Sequence, residues 1–451
     1  MELETFQFAD VRDQTNLFQQ CVEDFGAGMK SSMQNGWVRK PLGDIADVIS
    51  GYAFKSNEFG DQGIPVIKIK NIRVGTVDIS DADRVDEKYL DIPERYHVRG
   101  GDILISLTGS HISQPNSVVG RVARHSTCLP TCLLNQRAGK VMVRDRSTCD
   151  LCFLFYALSE PEAMRAIAML AHGAASQANV SPSQVESIEI PFPPLPMQRR
   201  IAGILSAYDE LIENSQRRIR ILEEMARVLY REWFVHFRFP GHENHPLVPS
   251  SLGDIPQGWE VKSIYHFGSV ITGKTPSKAN ADFYGKDVPF VKTPDMHGNM
   301  FILSTIDSLS MMGADSQANK TLPAGSICVS CIGTIGVVSI TTEDCQTNQQ
   351  INSVILTNPV SREFLFFRLQ DVKQALENLG ANGATMGNVN KGKFEAMEII
   401  CPFEDILTRY HQIVTPMFSE TLSLYRKVQN LRRMRDILLP RLLSGDIDTS
   451  T

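Results

Sequence analysis

The chain has 451 residues, 42% hydrophobic and 21% charged, which suits a soluble globular protein with room for two cores of ordinary size. A formal net charge of −6 excludes a protein that coats nucleic acid through bulk positive charge, but not a reader with local basic loops. With no basic-then-apolar leader and no apolar run of about 18 residues, the chain is expected to be cytoplasmic and to touch no membrane.

In chain order, residues 1–35 carry mixed helical signals (Phe18, Val22, Phe25) and end near Gly26 and Gly28, predicting an N-terminal helical extension. Residues 36–193 alternate short β-branched runs, Pro65 to Ile69, Asp102 to Leu107 and Gly139 to Val143, with Gly, Asp and Asn turns. One helix is predicted from Asp150 to Ala171. Residues 194–238 then repeat apolar side chains every 3.5 positions: Ile201, Leu205, Tyr208, Ile212, Ile219, Leu222, Leu229 and Trp233, with Ser215 and Ala226 in the same frame. Arg, Glu, Asp, Gln and Asn fill most of the gaps. That spacing predicts a helix about 60 Å long with a narrow seam for a partner helix.

A Pro- and Gly-rich linker is predicted over 239–257, a second globular unit over 258–403 with a helix near Arg362 to Leu379, and a last long helix over 404–451. The seam recurs 209 positions on, at Tyr410, Val414, Met417, Thr421, Leu424, Val428, Leu431, Arg435, Leu438 and Leu442. The likeness extends beyond the helices. Gly36-Trp37 matches Gly258-Trp259, and GDILISLTGS (Gly101 to Ser110) matches GSICVSCIGT (Gly325 to Thr334). Asn135-Gln136 matches Asn348-Gln349, Asn179-Val180 matches Asn388-Val389, and IEIPF (Ile188 to Phe192) matches IICPF (Ile399 to Phe403). The chain is therefore a tandem duplication of a globular domain followed by a long helix. The expected fold class is α+β, with the two long helices forming an antiparallel coiled coil and a globular unit at each end.

Catalytic signatures are scarce. GSVITGKT, Gly268 to Thr275, fits the phosphate-loop pattern, but no amphipathic helix follows Lys274 and Thr275, and the first copy has Tyr52 and Ala53 there. A strand-end turn with an exposed lysine is the better reading. The CxxC pairs Cys149/Cys152 and Cys328/Cys331 fall in non-equivalent parts of the copies, so buried thiols are preferred to a zinc site. No metal site, nucleotide fingerprint or catalytic motif is expected in the chain.

What remains is polar and basic loop chemistry. The first unit offers Lys55, Lys68, Lys70, Asn71, Arg73 and Ser110, and an insertion, HISQPNSV, that contributes Gln114 and Asn116. The second offers Lys274, Lys278, Lys292, Thr334, Asn388, Lys391 and Lys393. Arg and Lys suit guanine edges and phosphates, and Asn and Gln suit adenine edges, so these loops taken together could read base pairs of double-stranded DNA, while any one of the residues alone reads as an ordinary solvated surface charge.

Several stretches together resemble the DNA-specificity subunits of type I restriction–modification systems. They are PPLPMQRRI (Pro193 to Ile201), LEEMARVLYREWFVHFRFPG (Leu222 to Gly241), GWEVKSI (Gly258 to Ile264), QANVS (Gln177 to Ser181) and LLPRLLSGDI (Leu438 to Ile447). The resemblance covers residues 36–451. It implies two target-recognition domains, 36–193 and 258–403, each reading half of a bipartite, asymmetric site. It also implies two methyltransferase (modification) subunits that bind S-adenosylmethionine and modify adenine, with restriction subunits able to join, and no catalysis by this chain itself. The chain departs from the family pattern at Met197, where Glu is usual, and at FEDILTRYHQI (Phe403 to Ile413), which lacks the Pro-Pro-Leu entry. Pro416 is expected to start or kink the last helix. The rival reading is a coiled-coil scaffold or adaptor whose end domains bind proteins.

Overall fold

The structure is a computed structural model that describes residues 37–110, 118–174, 177–381 and 387–447. The N-terminal extension and the loop residues Gln114 and Asn116 lie outside the described residues. The chain divides into two compact units, residues 1–210 with 432–451, and residues 211–431.

The core of the first unit is a five-stranded sheet: β1 (Ala46–Ser50), β2 (Gly75–Thr76), β3 (Ile103–Ser106), β4 (Val122–Arg124) and β5 (Ala138–Val143), in the spatial order β1-β5-β3-β4-β2. All pairings are antiparallel except β4 with β2. Every residue of β3 is buried, because both faces of the sheet are covered. Ile103 and Ile105 face helices α1 (Leu151–Ser159) and α2 (Pro161–Met169), while Leu104 faces a second layer built on Ile67, Val98, Cys132 and Leu134. A two-residue period thus serves two cores from one strand. The single helix predicted over 150–171 is two helices: Asp150 caps the first through its side chain, and Pro161 opens the second. Proline fixes an N-terminal turn but cannot donate within a continuing helix.

The second unit repeats this plan. Strands β6 (Gly268–Thr272), β7 (Phe301–Ile302), β8 (Ile327–Ser330), β9 (Val338–Thr341) and β10 (Ile351–Leu356) order as β6-β10-β8-β9-β7, again with only the last pair parallel. Register is conserved too: Val141 lies opposite Val48, and Val354 opposite Val270. Ile327 and Val329 face the helix layer, and Cys328 faces the other core with Val291 and Cys345. The predicted helix near 362–379 is broken into Arg362–Asp371 and Lys373–Gly380.

The long helix α3 spans Leu195–Tyr230, and its start is fixed by Gln198. This fully buried amide donates to the Pro193 and Thr148 carbonyls at 2.8 and 3.1 Å and accepts from the Asp150 N–H at 2.9 Å. Its end is a π-type turn, Arg231–Val235, after which Phe237 takes a left-handed φ of 56° and Arg238 clamps Glu232. The last helix, α4, runs Glu404–Ser444 without interruption. It does not start at Pro416, which lies about three turns inside it. The missing N–H there is outweighed by Tyr410, Val414 and Phe418, all buried.

Within the second unit the helices run antiparallel, since Arg218 pairs with Glu420 while the Tyr410 hydroxyl donates to the Ala226 carbonyl at 3.3 Å. Ile212, Ile219, Leu424 and Val428 form one apolar cluster edged by Leu222 and Leu431. Ala226, Trp233 and Val414, with Leu229 and Met417 beside them, join the main core. Within the first unit Ile201 and Leu205 meet Leu439, Leu442 and Leu443, while Leu438 and Tyr208 are half-buried. The seam has slipped by one position there, as a straight helix drifts about 20° per heptad.

The stretch read as a linker is not free chain. Leu247–Ser250 and Gly253–Pro256 form a hairpin, and Phe239 and Ile255 are buried in the second core. Phe239 stacks on Trp259 with ring centroids 5.1 Å apart, so the aromatic run after α3 and the GWEVKSI segment anchor one another.

Candidate nucleic-acid interface

In an antiparallel ladder the end of one strand adjoins the start of its neighbour. The ends of β1 and β3 therefore share one edge of the first sheet with the starts of β4 and β5. The loops at 51–55, 107–110, 118–121 and 135–137 gather there. The second layer ends at the same edge, because the Asn135 N–H bonds the Ile67 carbonyl at 3.0 Å. That brings in Lys68 to Arg73. In the second unit the equivalent edge gathers 273–280, Lys292, 331–336, 348–350 and 387–390.

The centre of each edge is an Asn-Gln turn. Asn135 and Asn348 are each 8% exposed, and their side-chain oxygens accept the backbone N–H two residues on, from Arg137 at 3.3 Å and Gln350 at 3.1 Å. Around them the same backbone bonds recur: Tyr52 to Leu134 and Lys274 to Thr347, Leu107 to Arg137 and Cys331 to Gln350. Gly51 and Gly273 pack against the turns so closely that a Cβ would sit 2.3 Å from the Leu134 carbonyl oxygen and 2.2 Å from that of Asn348. This is why Ile49-Ser50-Gly51 echoes Ile271-Thr272-Gly273.

The first-unit candidates divide by what already holds them. Lys68 is half-buried, 2.7 Å from Asp83 and over the Phe59 ring at 3.5 Å, and its hydrogen bond holds the Asp83 carboxyl below the usual range. Lys70 donates to the Asp81 carbonyl at 2.7 Å. Asn71 is fully buried; it donates to the Asp78 carbonyl and the Asp81 carboxylate and accepts from Lys68, which removes it from base reading. Lys55 and Arg73 remain exposed, without a side-chain ion pair among the described residues. Ser110 is half-buried at the mouth of the inserted loop.

Two basic residues absent from the sequence-level set stand here as well. Arg121 opens β4 beside Arg73, and burial, then the like charge of Arg73, lowers its pKa. Exposed Arg137 follows Gln136 in the turn. The signal that would have found it was its place directly after the duplicated Asn-Gln pair.

In the second unit Lys274 and Lys278 are exposed, and Thr334 and Asn388 are exposed on either side of the Ile332–Asn388 bridge. Lys292 is tied to Asp307. Lys391 pairs with Glu395 one turn along its own short helix at 3.3 Å, and Lys393 donates to the Leu379 carbonyl of the preceding helix at 3.0 Å, so both are engaged within the fold. The Lys274 loop is buttressed from behind: Gln317 donates to the Lys274 carbonyl and to Gln346, each at 2.8 Å.

Other chemistry finds less support. Gly268–Thr272 is strand β6 and no helix follows it before the short turn at Ala281, so no helix N-terminus faces Lys274. Burial pushes the thiols of Cys149 and Cys328 up to about 12 and that of Cys331 up to about 11, which keeps them protonated. No cluster of three or more His, Cys, Asp or Glu suited to a metal occurs among the described residues. A cleft of about 440 Å³ opens at the opposite end of the second sheet, but Glu260 and Glu404 line it, which disfavours an anionic ligand. No helix of the described residues is long and apolar enough to cross a membrane.

Comparison with known proteins agrees with the duplicated plan. A family model described as the type I restriction modification DNA specificity domain matches twice, over residues 34–224 and 256–423. The Type I restriction enzyme HindI specificity subunit of Haemophilus influenzae is 33% identical over 353 residues, covering 65% of this chain and 77% of that protein. The MjaIX specificity subunit of Methanocaldococcus jannaschii is 24% identical over 91% of this chain and 93% of its own. The crystal structure of a type I restriction–modification S subunit from M. genitalium covers 94% of this chain and 99% of its own with a TM-score of 0.60, at 15% identity, a likeness of fold.

Proposed function

The chain belongs to the DNA specificity subunits of type I restriction–modification systems, and we propose that each of its units reads one half of a bipartite, asymmetric DNA site through the strand-end edge described above. The observation that carries this reading is the contrast between edges: one scaffold, repeated in register, carries Lys55, Arg73, Arg121 and Arg137 in one copy and Lys274, Lys278, Thr334 and Asn388 in the other. A shared frame with different side chains is what two different half-sites require. Most contacts from such an edge go to phosphates and fix register, and a few go to base edges and specify.

On this reading the subunit performs no bond chemistry. Methyltransferase subunits dock on it, bring S-adenosylmethionine and modify adenine, and restriction subunits can join them. The paired helices set the spacer between the half-sites, since major-groove readers on one face of DNA sit about 34–36 Å apart or a multiple of it. Methylation-sensitive sequencing of host DNA tests the reading: a two-part motif with a fixed spacer supports it, and an in-register insertion near Ser215 should lengthen that spacer alone. An unchanged spacer would remove the ruler role. A protein-binding scaffold instead predicts no sequence-selective DNA retention, even with a methyltransferase present.

A further inference from the structure

The Asn-Gln turn at the centre of the two edges is alike in both sequence and geometry. A group common to two domains that recognise different words cannot distinguish those words. It serves what both complexes share, which is register on the sugar-phosphate backbone.

The local chemistry fits that task. Gln136 and Gln349 are exposed, while the turns that carry them are pinned by buried Asn135 and Asn348. The Gln349 side-chain oxygen accepts from the Thr275 hydroxyl at 2.6 Å, which leaves its amide N–H groups without a partner among the described residues. The Gln136 side chain has none at all among them. Amide N–H groups on a rigid turn suit an oxygen acceptor such as a phosphate. The next position differs between copies. Arg137 is exposed and suits a guanine edge, whereas Gln350 has its side-chain oxygen engaged by the Asn348 amide at 3.1 Å.

We propose that Gln136 and Gln349 are matched phosphate-positioning contacts, one in each half-site, and that Arg137 beside the first is a base-reading residue with no equivalent in the second domain. This rests on the strand-end edge being the DNA-reading surface.

The test uses the assembled enzyme, read by methylated-site sequencing and by binding to cognate duplex at several salt concentrations. Gln136→Ala and Gln349→Ala should each weaken binding about tenfold, the loss of one hydrogen bond to a charged group. Neither should alter the recognised bases. The slope of log affinity against log salt should not change, because a neutral amide releases no counterion. Gln136→Glu should lose more, since a carboxylate would face the phosphate. Arg137→Ala should relax one position of one half-site. The proposal is overturned if Gln136→Ala changes which bases are methylated, or if Gln136→Ala and Gln136→Glu both bind normally while Arg137→Ala relaxes specificity. If Arg137→Ala and Lys274→Ala also leave binding and motif untouched, the edge itself is not the DNA-reading surface.

Discussion

The Arg435 guanidinium donates to the Asp209 carboxylate at 2.8 Å, tying the last helix to α3 inside the first unit. The Tyr156 hydroxyl donates to the other carboxylate oxygen at 2.6 Å, and Arg124 stands 3.6 Å away. Burial, then the Asp209 charge, raises the Tyr156 pKa, so it remains a donor. Asp209→Ala removes the acceptor shared by two donors, of which Arg435 keeps Asp436 and Tyr156 keeps Ser206, and should cost about 2 kcal/mol in urea unfolding, with Tyr156→Phe costing about 1 kcal/mol. A coupling energy near zero in an Asp209/Arg435 double-mutant cycle would show that the pair contributes nothing.

His125 is 1% exposed, and its ring is buried with only a weak contact to the Ser126 backbone among the described residues. Burial holds its pKa below the ordinary 6.5, against a smaller opposing pull from Asp102. The unfolded chain therefore binds a proton where the folded chain does not. Its contribution to stability is complete above about pH 6.5 and declines as the pH falls below that value. The melting temperature should drop between about pH 7.5 and pH 5.5, and His125→Leu should flatten that drop. An equal drop in the variant would place the sensitivity elsewhere.

Gly51→Ala and Gly273→Ala drive a Cβ into backbone carbonyls at 2.3 and 2.2 Å and should each cost more than about 2 kcal/mol. Gly203 lies in α3 with nothing within 4 Å of its added Cβ, so Gly203→Ala should stabilise by about 0.5–1 kcal/mol. Denaturation midpoints of the three variants check the ordering.

The lysines of the two edges should separate by salt dependence. Lys274→Ala and Lys278→Ala remove exposed charges and should each lower the slope of log affinity against log salt by about 1. Lys68→Ala removes a charge already held by Asp83 and the Phe59 ring, so that slope should stay put. Equal slopes for all three would mean that Lys68 leaves Asp83 when DNA binds.

The duplication is legible because many short stretches match between the two copies, and the helical period because it recurs turn after turn along each long helix. Ser215 could sit in the seam because its hydroxyl bonds the Leu211 carbonyl one turn back, a local solution invisible to hydrophobic counting. The failures have a common cause: tertiary packing outvoted a local signal. Pro416 lies inside a helix because buried neighbours hold it there. The Pro-rich stretch after Phe239 folds because Trp259 offers it an aromatic face. Asn71 reads as a loop amide in sequence, but the acidic turn at Asp78 and Asp81 draws it into the fold. Arg137 follows the duplicated Asn-Gln pair in sequence, but its place beside the other basic loop residues is set by the strand-end edge.

The most direct test of the central claim exchanges residues 36–193 for the corresponding domain of another specificity subunit and sequences the methylated sites made by the assembled enzyme. One half of the recognised site should change to the donor's word while the other half is retained. A change in both halves, or in neither, would contradict an account in which each unit reads its own half through its own edge.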